Sequence, residues 1–286
     1  MTLDISIKNQ LDQFIKLAFE EDVRDGDHTS LACVPAHAIG KAHLLVKDNG
    51  ILAGVEVAKY IFNYLDPNFE FEQFLQDGAN IKKGDIAFIV KGKSQLILQA
   101  ERLVLNTMQR MSGIATITAQ YVAAIKNYPV QLLDTRKTTP NFRLLEKMAV
   151  KIGGGTNYRD GLYDRIMIKD NHTDFCGSLT QAILQVEAYQ KEKGLQLPIT
   201  VEVRNLEELN EVLNIGKIDR IMLDNFELSM MKTAVQIINK RFEVEASGGV
   251  NLSTIEAIAA TGVDFISVGA LTHSAQTLDL SLKQIK

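Results

Sequence analysis

The chain has 286 residues, enough for two domains, and its 46% hydrophobic and 23% charged residues are typical of a globular protein. The formal net charge of -4 argues against nucleic-acid binding, which usually requires a basic surface. No apolar run reaches the roughly eighteen residues of a membrane span. The two cysteines, Cys33 and Cys176, lie far apart in no zinc-ligand spacing. With charged residues interrupting the N-terminal segment, they favour a reducing cytoplasm.

The first third of the chain predicts helices mixed with antiparallel strands. Apolar residues at helical spacing predict helices over 5–22 and 55–65. Alternating or β-rich runs bounded by turn residues predict strands at 39–47, 50–53, 69–75 and 86–90. Residues 94–126 contain no proline and keep helical spacing, which predicts one long helix or two helices broken near Ser112-Gly113.

Beyond Pro129, short β-rich runs alternate with helical segments. The runs lie at 130–133, 150–152, 165–168, 199–203, 220–223, 242–246 and 265–268. Helices are expected between them at 206–213, 228–239 and 254–260. This alternation predicts an α/β fold with a parallel sheet, and about seven strands favour a TIM-like barrel. An open doubly wound sheet is the alternative, although no Gly-x-Gly-x-x-Gly motif follows the first strand.

Charged residues and glycines follow six of these runs. Parallel strands bring their carboxyl ends together, and barrel enzymes build their active sites at that face. The residues are Asp134-Thr135-Arg136-Lys137, Lys169-Asp170-Asn171-His172, Glu202 with Arg204, Asp224-Asn225, Ser247-Gly248-Gly249 and Gly269-Ala270. A short repeat, DRIMIKDN at 164–171 and DRIMLDN at 219–225, puts Lys169 and Asp224 at equivalent places.

Each of these features has an ordinary structural explanation as well. Charged strand ends can be solvated loops, paired glycines can be tight turns, and Thr138-Thr139-Pro140 can be a helix cap with Pro at the first helical position. Four cations brought to one face would nevertheless repel each other unless an anion were bound there; they are Arg136, Lys137, Arg159 and Lys169. Carboxylates at the same face could hold a divalent cation or stabilise a developing positive charge; they are Glu202 and Asp224.

Six segments, taken together, resemble a known family. They span 101–116 (ERLVLNTMQRMSGIAT), 132–172, which contains TRKTTP and IKDNH, 201–209, 219–226, 245–255 and 262–275. They resemble the quinolinate phosphoribosyltransferases, also called nicotinate-nucleotide pyrophosphorylases (carboxylating). The resemblance implies an N-terminal α/β sandwich domain over 1–113, joined by a C-terminal helix at 274–286, and an α/β-barrel domain over 114–273. It also implies a pentosyl transfer in NAD biosynthesis: quinolinate and phosphoribosyl pyrophosphate give nicotinate mononucleotide, pyrophosphate and CO2, with Mg²⁺.

The same resemblance implies roles for individual residues. The catalytic residues would be Lys137, Lys169, Glu202 and Asp224. Glu202 and Asp224 would face the ribose and a Mg²⁺ ion carried by the substrate. The quinolinate carboxylates would be bound by Arg136, Arg159 and Lys169, with Thr135 and Lys137 beside them. Arg102 would enter from the other subunit of a homodimer, which could assemble further into a hexamer. The 5′-phosphate would be held by Ser247, Gly248, Gly249, Val268, Gly269 and Ala270.

One position departs from the family pattern, and three rival functions stay open. The family usually has Asn-His-Arg where this chain has Asn157-Tyr158-Arg159, so Tyr158 would bind substrate through its hydroxyl or not at all. We therefore expect weaker or differently pH-dependent quinolinate binding. The rivals are a molybdenum-transport-associated phosphoribosyltransferase-like paralogue, a Schiff-base lyase using Lys169 or Lys137, and a non-catalytic anion-binding protein.

Overall fold

The computed structural model describes residues 4–285 and divides into two compact units. The first unit takes residues up to 119, 138–154 and those from 271 onward; the second takes 120–137 and 155–270. The helices are α1 (Ile5–Asp22), α2 (His28–Cys33), α3 (Val55–Leu65), α4 (Ser94–Ile125), α5 (Arg143–Ile152), α6 (Asp170–Cys176), α7 (Leu179–Lys193), α8 (Leu206–Ile215), α9 (Leu228–Ile238), α10 (Ile255–Ala259) and α11 (Ala270–His273). The strands are β1 (Ile39–Val46), β2 (Gly50–Ile51), β3 (Glu70–Gln73), β4 (Asn80–Ile81), β5 (Ile86–Lys93), β6 (Gln131–Leu133), β7 (Ile166–Ile168), β8 (Ile199–Val203), β9 (Arg220–Asp224), β10 (Glu243–Ser247), β11 (Phe265–Ser267) and β12 (Leu280–Gln284).

The first unit is built on an antiparallel sheet in the order β12-β1-β5-β3. Alternate residues of β1 are buried, as expected for a sheet with one face on the core: Ala42, Leu44 and Val46. An aromatic cluster fills this core, in which the Phe88 ring lies 4.4 Å from Phe71 and 6.4 Å from Phe62 of α3. The sandwich-type N-terminal domain expected from the resemblance is confirmed.

Helix α4 is one unbroken helix of 32 residues, so the pair Ser112-Gly113 does not divide it. The Ser112 hydroxyl instead accepts a hydrogen bond from the amide of Ala53 at 2.9 Å. A Cβ at Gly113 would overlap the carbonyl of Gln276. The small residues at this point therefore permit close packing against the loop that precedes β12.

A buried ion pair joins α4 to α5. Glu146 is 0% exposed and accepts from Arg110 Nε at 3.0 Å and Nη2 at 2.8 Å. Its oxygens also accept from the amide of Thr139 at 3.1 Å and its hydroxyl at 3.0 Å. Arg110 Nη1 in turn donates to the carbonyl of Ala275 at 2.8 Å. The pair is thus fully hydrogen-bonded and fixes the loop before α5.

The second unit is a parallel sheet in the order β6-β11-β10-β9-β8-β7, and helices separate successive strands. All five residues of β8 are buried, as expected for a parallel strand covered on both faces. Beside β6, Thr156 forms an isolated parallel bridge to Leu133 and supplies a short seventh segment. The predicted α/β barrel is confirmed.

Two predicted elements were wrong. Residues 150–152 were expected to form a strand but end α5, in which Leu145, Met148 and Ala149 are buried at helical spacing. A short apolar run fits either element, so its period alone could not decide. The expected C-terminal helix over 274–286 is wrong too, because Leu280–Gln284 pair antiparallel with β1 as β12. Leu280 and Leu282 are buried two residues apart, which is the period of a strand.

Candidate active site

Lys169 and Glu202, from neighbouring strands, form the centre of the candidate site. Lys169 directly follows β7, and its Nζ lies 2.9 Å from Oε2 of Glu202, which is 7% exposed near the end of β8. The amide of Lys169 donates to His172 Nδ1 at 3.0 Å, so this histidine fixes the first turn of α6. The structure therefore brings together two residues that the sequence placed at separate strand ends.

The next two strand ends also meet. Asp224 of β9 pairs in register with Ser247 of β10, and the amide of Asn225 donates to the carbonyl of Ser247 at 2.9 Å. The Asp224 carboxylate accepts from the Asn225 side-chain amide at 2.8 Å. Gly248 has a φ of +94°, and a Cβ there would overlap the Asn225 side chain, so only glycine fits this turn.

A cationic group follows β6 and the Thr156 segment. The Lys137 amide donates to Thr135 Oγ1 at 3.1 Å, and the lysine side chain is exposed. Arg159 is half-buried, and its Nη1 donates to the carbonyl of Arg165 at 3.2 Å. Burial first, and the positive charge of Arg136 next, lower the pKa of Arg159. The two guanidinium groups repel each other, which is the electrostatic condition of an anion-binding site.

At the end of β11, a buried residue precedes two half-buried small residues. Val268 is 1% exposed, and its amide is taken by the carbonyl of Leu133 at 3.0 Å. Gly269 and Ala270 follow it as half-buried residues, and α11 begins at Ala270. Val268 therefore supports this turn, and a ligand would be contacted by the residues after it.

Two further predicted site residues are Arg102 and Tyr158. Arg102 is an exposed residue of α4 in the first unit. Tyr158 is half-buried, and its hydroxyl lies 3.0 Å from Thr200 Oγ1, two residues before Glu202 on β8. Its amide donates to the buried carboxylate of Asp134 at 2.8 Å. The expectation that Tyr158 contacts substrate stays a prediction.

Several polar residues near the site were not predicted. Arg220 and Glu245 form a buried ion pair at 3.2 Å, and Ser267 donates a short hydrogen bond to Glu245. Arg165 Nη1 donates to Thr200 Oγ1 at 3.1 Å. The repeat that matched Lys169 with Asp224 also matches Arg165 with Arg220, and this was the available signal.

The metal-binding capacity of the site is limited. Within residues 4–285 no group of three or more His, Cys, Asp and Glu side chains could hold a metal ion. Glu202 and Asp224 supply oxygen donors of the kind Mg²⁺ prefers, but Glu202 is already paired with Lys169. A Mg²⁺ ion at these two carboxylates would therefore need most of its ligands from a substrate's phosphates and from water.

Comparisons with known proteins agree with this architecture. The family model "Quinolinate phosphoribosyl transferase, C-terminal domain" matches residues 114–283, and its N-terminal counterpart matches 27–112. A mitochondrial quinolinate phosphoribosyltransferase [decarboxylating] 2b of Nicotiana tabacum is 45% identical over 96% of this chain and 82% of its own length. A probable nicotinate-nucleotide pyrophosphorylase [carboxylating] of Synechocystis is 40% identical over 96% of this chain and 93% of its own.

Solved structures show the same likeness. The NadC protein of Streptococcus pyogenes is 38% identical, covers 100% of both chains and has a TM-score of 0.91. The nicotinate-nucleotide pyrophosphorylase of Francisella tularensis is 36% identical, covers 97% of both chains and has a TM-score of 0.89. No helix in the described part of the chain combines the length and apolar character needed to cross a bilayer. With both of its domains matched, this chain belongs to the quinolinate phosphoribosyltransferase family.

Proposed function

We propose that this chain transfers the phosphoribosyl group of phosphoribosyl pyrophosphate to quinolinate and releases pyrophosphate and CO2, giving nicotinate mononucleotide. The family supports the reaction. The observation that carries it in the structure is the Lys169–Glu202 pair at 2.9 Å, which sets a cation and a buried carboxylate side by side at the strand ends. The transfer needs both charges, because the acceptor is a dianion and the reacting ribose develops positive charge.

The acceptor would occupy the cationic half of the site. Quinolinate is a planar pyridine dicarboxylate, and arginine forks pair with carboxylates through two parallel hydrogen bonds. Arg136 and Arg159 supply such forks, and binding a dianion relieves the repulsion between them. Lys169 would take the other carboxylate, with Thr135 and Lys137 beside it. Tyr158 is neutral and adds no charge to this half.

The phosphoribosyl donor would occupy the glycine-containing half. Ser247 offers a hydroxyl, and Gly248 and Gly249 have φ of +94° and +61°, which turns the backbone after β10. Backbone amides in such turns can form an anion-binding concavity for the 5′-phosphate. Gly269 and Ala270, supported by Val268, would close the other side. No side chain at Gly248 or Gly249 blocks the approach of the phosphate.

The chemistry requires two successive bond exchanges. The pyridine nitrogen attacks C1′ of the ribose as the bond from C1′ to pyrophosphate breaks, through a transition state with oxocarbenium character. Glu202 and Asp224 would stabilise that positive charge. The bond from the carboxylate to the ring carbon beside the nitrogen then breaks and CO2 leaves. The electron pair stays on that carbon, where the adjacent pyridinium charge stabilises it, and the carbon takes a proton. Mg²⁺ bound through Glu202, Asp224 and the pyrophosphate would supply charge neutralisation for the leaving group.

Two further properties follow from the same proposal. The exposed Arg102 would complete the acceptor site of a neighbouring subunit in a homodimer, which could itself form a hexamer. Both cysteines are free thiols, which suits a reducing compartment such as the cytoplasm. Sedimentation of the purified protein, and mixing of an Arg102→Ala variant with an inactive variant that keeps Arg102, would test subunit sharing. Recovery of activity on mixing is the expected result.

The direct test follows pyrophosphate release from both substrates with Mg²⁺. Arg159→Gln should raise the KM for quinolinate at least about tenfold through loss of a charge-assisted fork. Arg204→Gln is a matched control, because Arg204 also follows a strand end but is bound by Glu208 at 2.6 Å. The control should keep the wild-type KM. Absence of pyrophosphate release by the wild-type protein would overturn the proposal.

The same preparation tests the lyase alternative. The Lys169 ammonium is held 2.9 Å from the Glu202 carboxylate, whereas a Schiff-base lysine must act as a neutral amine. Borohydride with a carbonyl substrate should therefore trap no adduct on Lys169 or Lys137. A stable adduct detected by mass spectrometry would favour the lyase instead.

A further inference from the structure

A buried polar network lies inside the barrel of the second unit. We call it the lumen network and define it as Tyr158, Thr200, Arg220, Glu245 and Ser267. Its centre is Glu245, which is 0% exposed and accepts from Arg220 at 3.2 Å and from Ser267. Burial raises the pKa of Glu245, while the hydrogen bond from Ser267 and the charge of Arg220 lower it. The donors offset part of the cost of burying this carboxylate, whose pKa stays above its ordinary value.

Both the ring and the hydroxyl of Tyr158 contact other members of this network. Its ring lies against the guanidinium of Arg220, whose Cζ is 5.1 Å from the ring centroid. The same guanidinium lies over the Phe265 ring, with Cζ 3.7 Å from the ring centroid. The Tyr158 hydroxyl lies 3.0 Å from Thr200 Oγ1 and also hydrogen-bonds Glu245. Burial, and next the charge of Glu245, raise the pKa of Tyr158, so the hydroxyl stays a neutral donor.

The lumen network lies directly beneath the candidate site. Residues two apart on a strand face the same side, so Thr200, Glu245 and Ser267 share the inward face with the strand-end residues that follow them. Those residues are Glu202 on β8 and Ser247 on β10, while Gly269 follows Ser267 beyond the end of β11. Tyr158 is also the residue before Arg159, and its amide is fixed on Asp134 at 2.8 Å. One side chain thus connects the strand carrying Glu202 to the segment carrying Arg159.

We propose that Tyr158 is a positioning residue: it acts on quinolinate through Arg159 and Glu202, which the lumen network holds in place, and not through a contact of its own. This inference rests on the proposed assignment of Arg159 and Glu202 to the substrate site. The Tyr158 hydroxyl has two partners inside the barrel, and its ring covers a buried cation. A substitution that keeps the ring and removes the hydroxyl therefore loosens the floor of the site without deleting any substrate-binding group.

A double-mutant cycle between Tyr158→Phe and Thr200→Val tests the inference. Both variants remove the bond between the Tyr158 and Thr200 hydroxyls. Tyr158→Phe also removes the bond to Glu245, and Thr200→Val also removes the bond from Arg165, so each should lower kcat/KM for quinolinate about tenfold. The double variant should lose clearly less than the hundredfold expected for independent contacts, because the Tyr158–Thr200 bond is lost only once. Thr200→Ser keeps the hydroxyl and should restore wild-type kinetics. Tyr189→Phe, at an exposed tyrosine of α7, is the matched control and should be unchanged.

Calorimetric titration of quinolinate onto the same variants provides a second measurement that needs no turnover. All assays are run at a temperature at which every variant is folded. If the hydrogen bond had only a structural role, its loss would lower the melting temperature and leave kcat and KM at wild-type values. That result would overturn the inference, as would losses that are fully additive in the double variant. A wild-type protein that neither binds quinolinate nor releases pyrophosphate would overturn the proposed function and this inference with it.

Discussion

The buried pair of Arg110 and Glu146 should govern the stability of the first unit. Replacing Arg110 with Met leaves the fully buried carboxylate of Glu146 with only the two Thr139 donors. Removing one partner of a buried ion pair typically costs about 3–5 kcal/mol. The carbonyls of Thr272 and Ala275 lose a donor as well. We therefore expect the melting temperature to fall by roughly 10 °C.

Differential scanning calorimetry and urea unfolding would measure this loss. The informative control is the double variant Arg110→Met/Glu146→Leu, in which no buried charge is left without a partner. Since replacing both members of a buried pair with apolar residues is often close to neutral, the double variant should be more stable than Arg110→Met. A single variant within about 1 kcal/mol of wild type would refute this reasoning. So would a double variant that is less stable than the single one.

Three further outcomes are expected. Gly248→Ala should raise the KM for phosphoribosyl pyrophosphate at least about tenfold, because φ is +94° and Asn225 occupies the space of a Cβ. Gly249 has a φ of +61°, but a Cβ added there would meet no atom within 4 Å, so Gly249→Ala should change that KM by much less. Equal effects of the two substitutions would count against the assignment of this turn to the phosphate. Glu202→Gln should lower kcat about a hundredfold in steady-state assays while the protein stays folded by circular dichroism; an unchanged kcat would remove Glu202 from catalysis. Since burial raises the pKa of Glu245 above its ordinary 4.5, the native state keeps its proton longer than the unfolded state, and stability falls as pH rises from about 4.5 through the native pKa. Urea unfolding of Glu245→Gln should lack this slope, and parallel pH profiles would contradict it.

The strand-end site could be predicted from sequence because neighbouring strands in the sheet are also neighbours in the chain. Strands β7, β8, β9 and β10 follow one another in both orders, so consecutive strand ends must meet. Lys169 and Glu202 do meet at 2.9 Å, and Asp224 pairs in register with Ser247. Because the apolar strands predict a parallel sheet, their carboxyl ends are expected at the same edge.

Other features depend on information that local patterns do not carry. The apolar run at 150–152 fits a helix or a strand equally, and only its packing within α5 decides. The C-terminal segment becomes a strand because β1 offers it an open edge about 240 residues earlier in the chain. The direction of the Tyr158 side chain likewise depends on Arg220 and Glu245, which no spacing around residue 158 reveals.

Polar residues within three barrel strands are a further sequence signal for the lumen network. In β8, β10 and β11 a polar residue stands among buried neighbours two positions before the site: Thr200, Glu245 and Ser267. Polar side chains inside a barrel cost free energy unless they hydrogen-bond each other, so three of them in strands of one sheet indicate a shared network. Tyr158, the residue that departs from the family pattern, contacts Thr200 and Arg220 of that network. If Tyr158 alters quinolinate binding, it would then do so by shifting Arg159 and Glu202. The size of the change in quinolinate affinity would measure how firmly the lumen network holds these two residues.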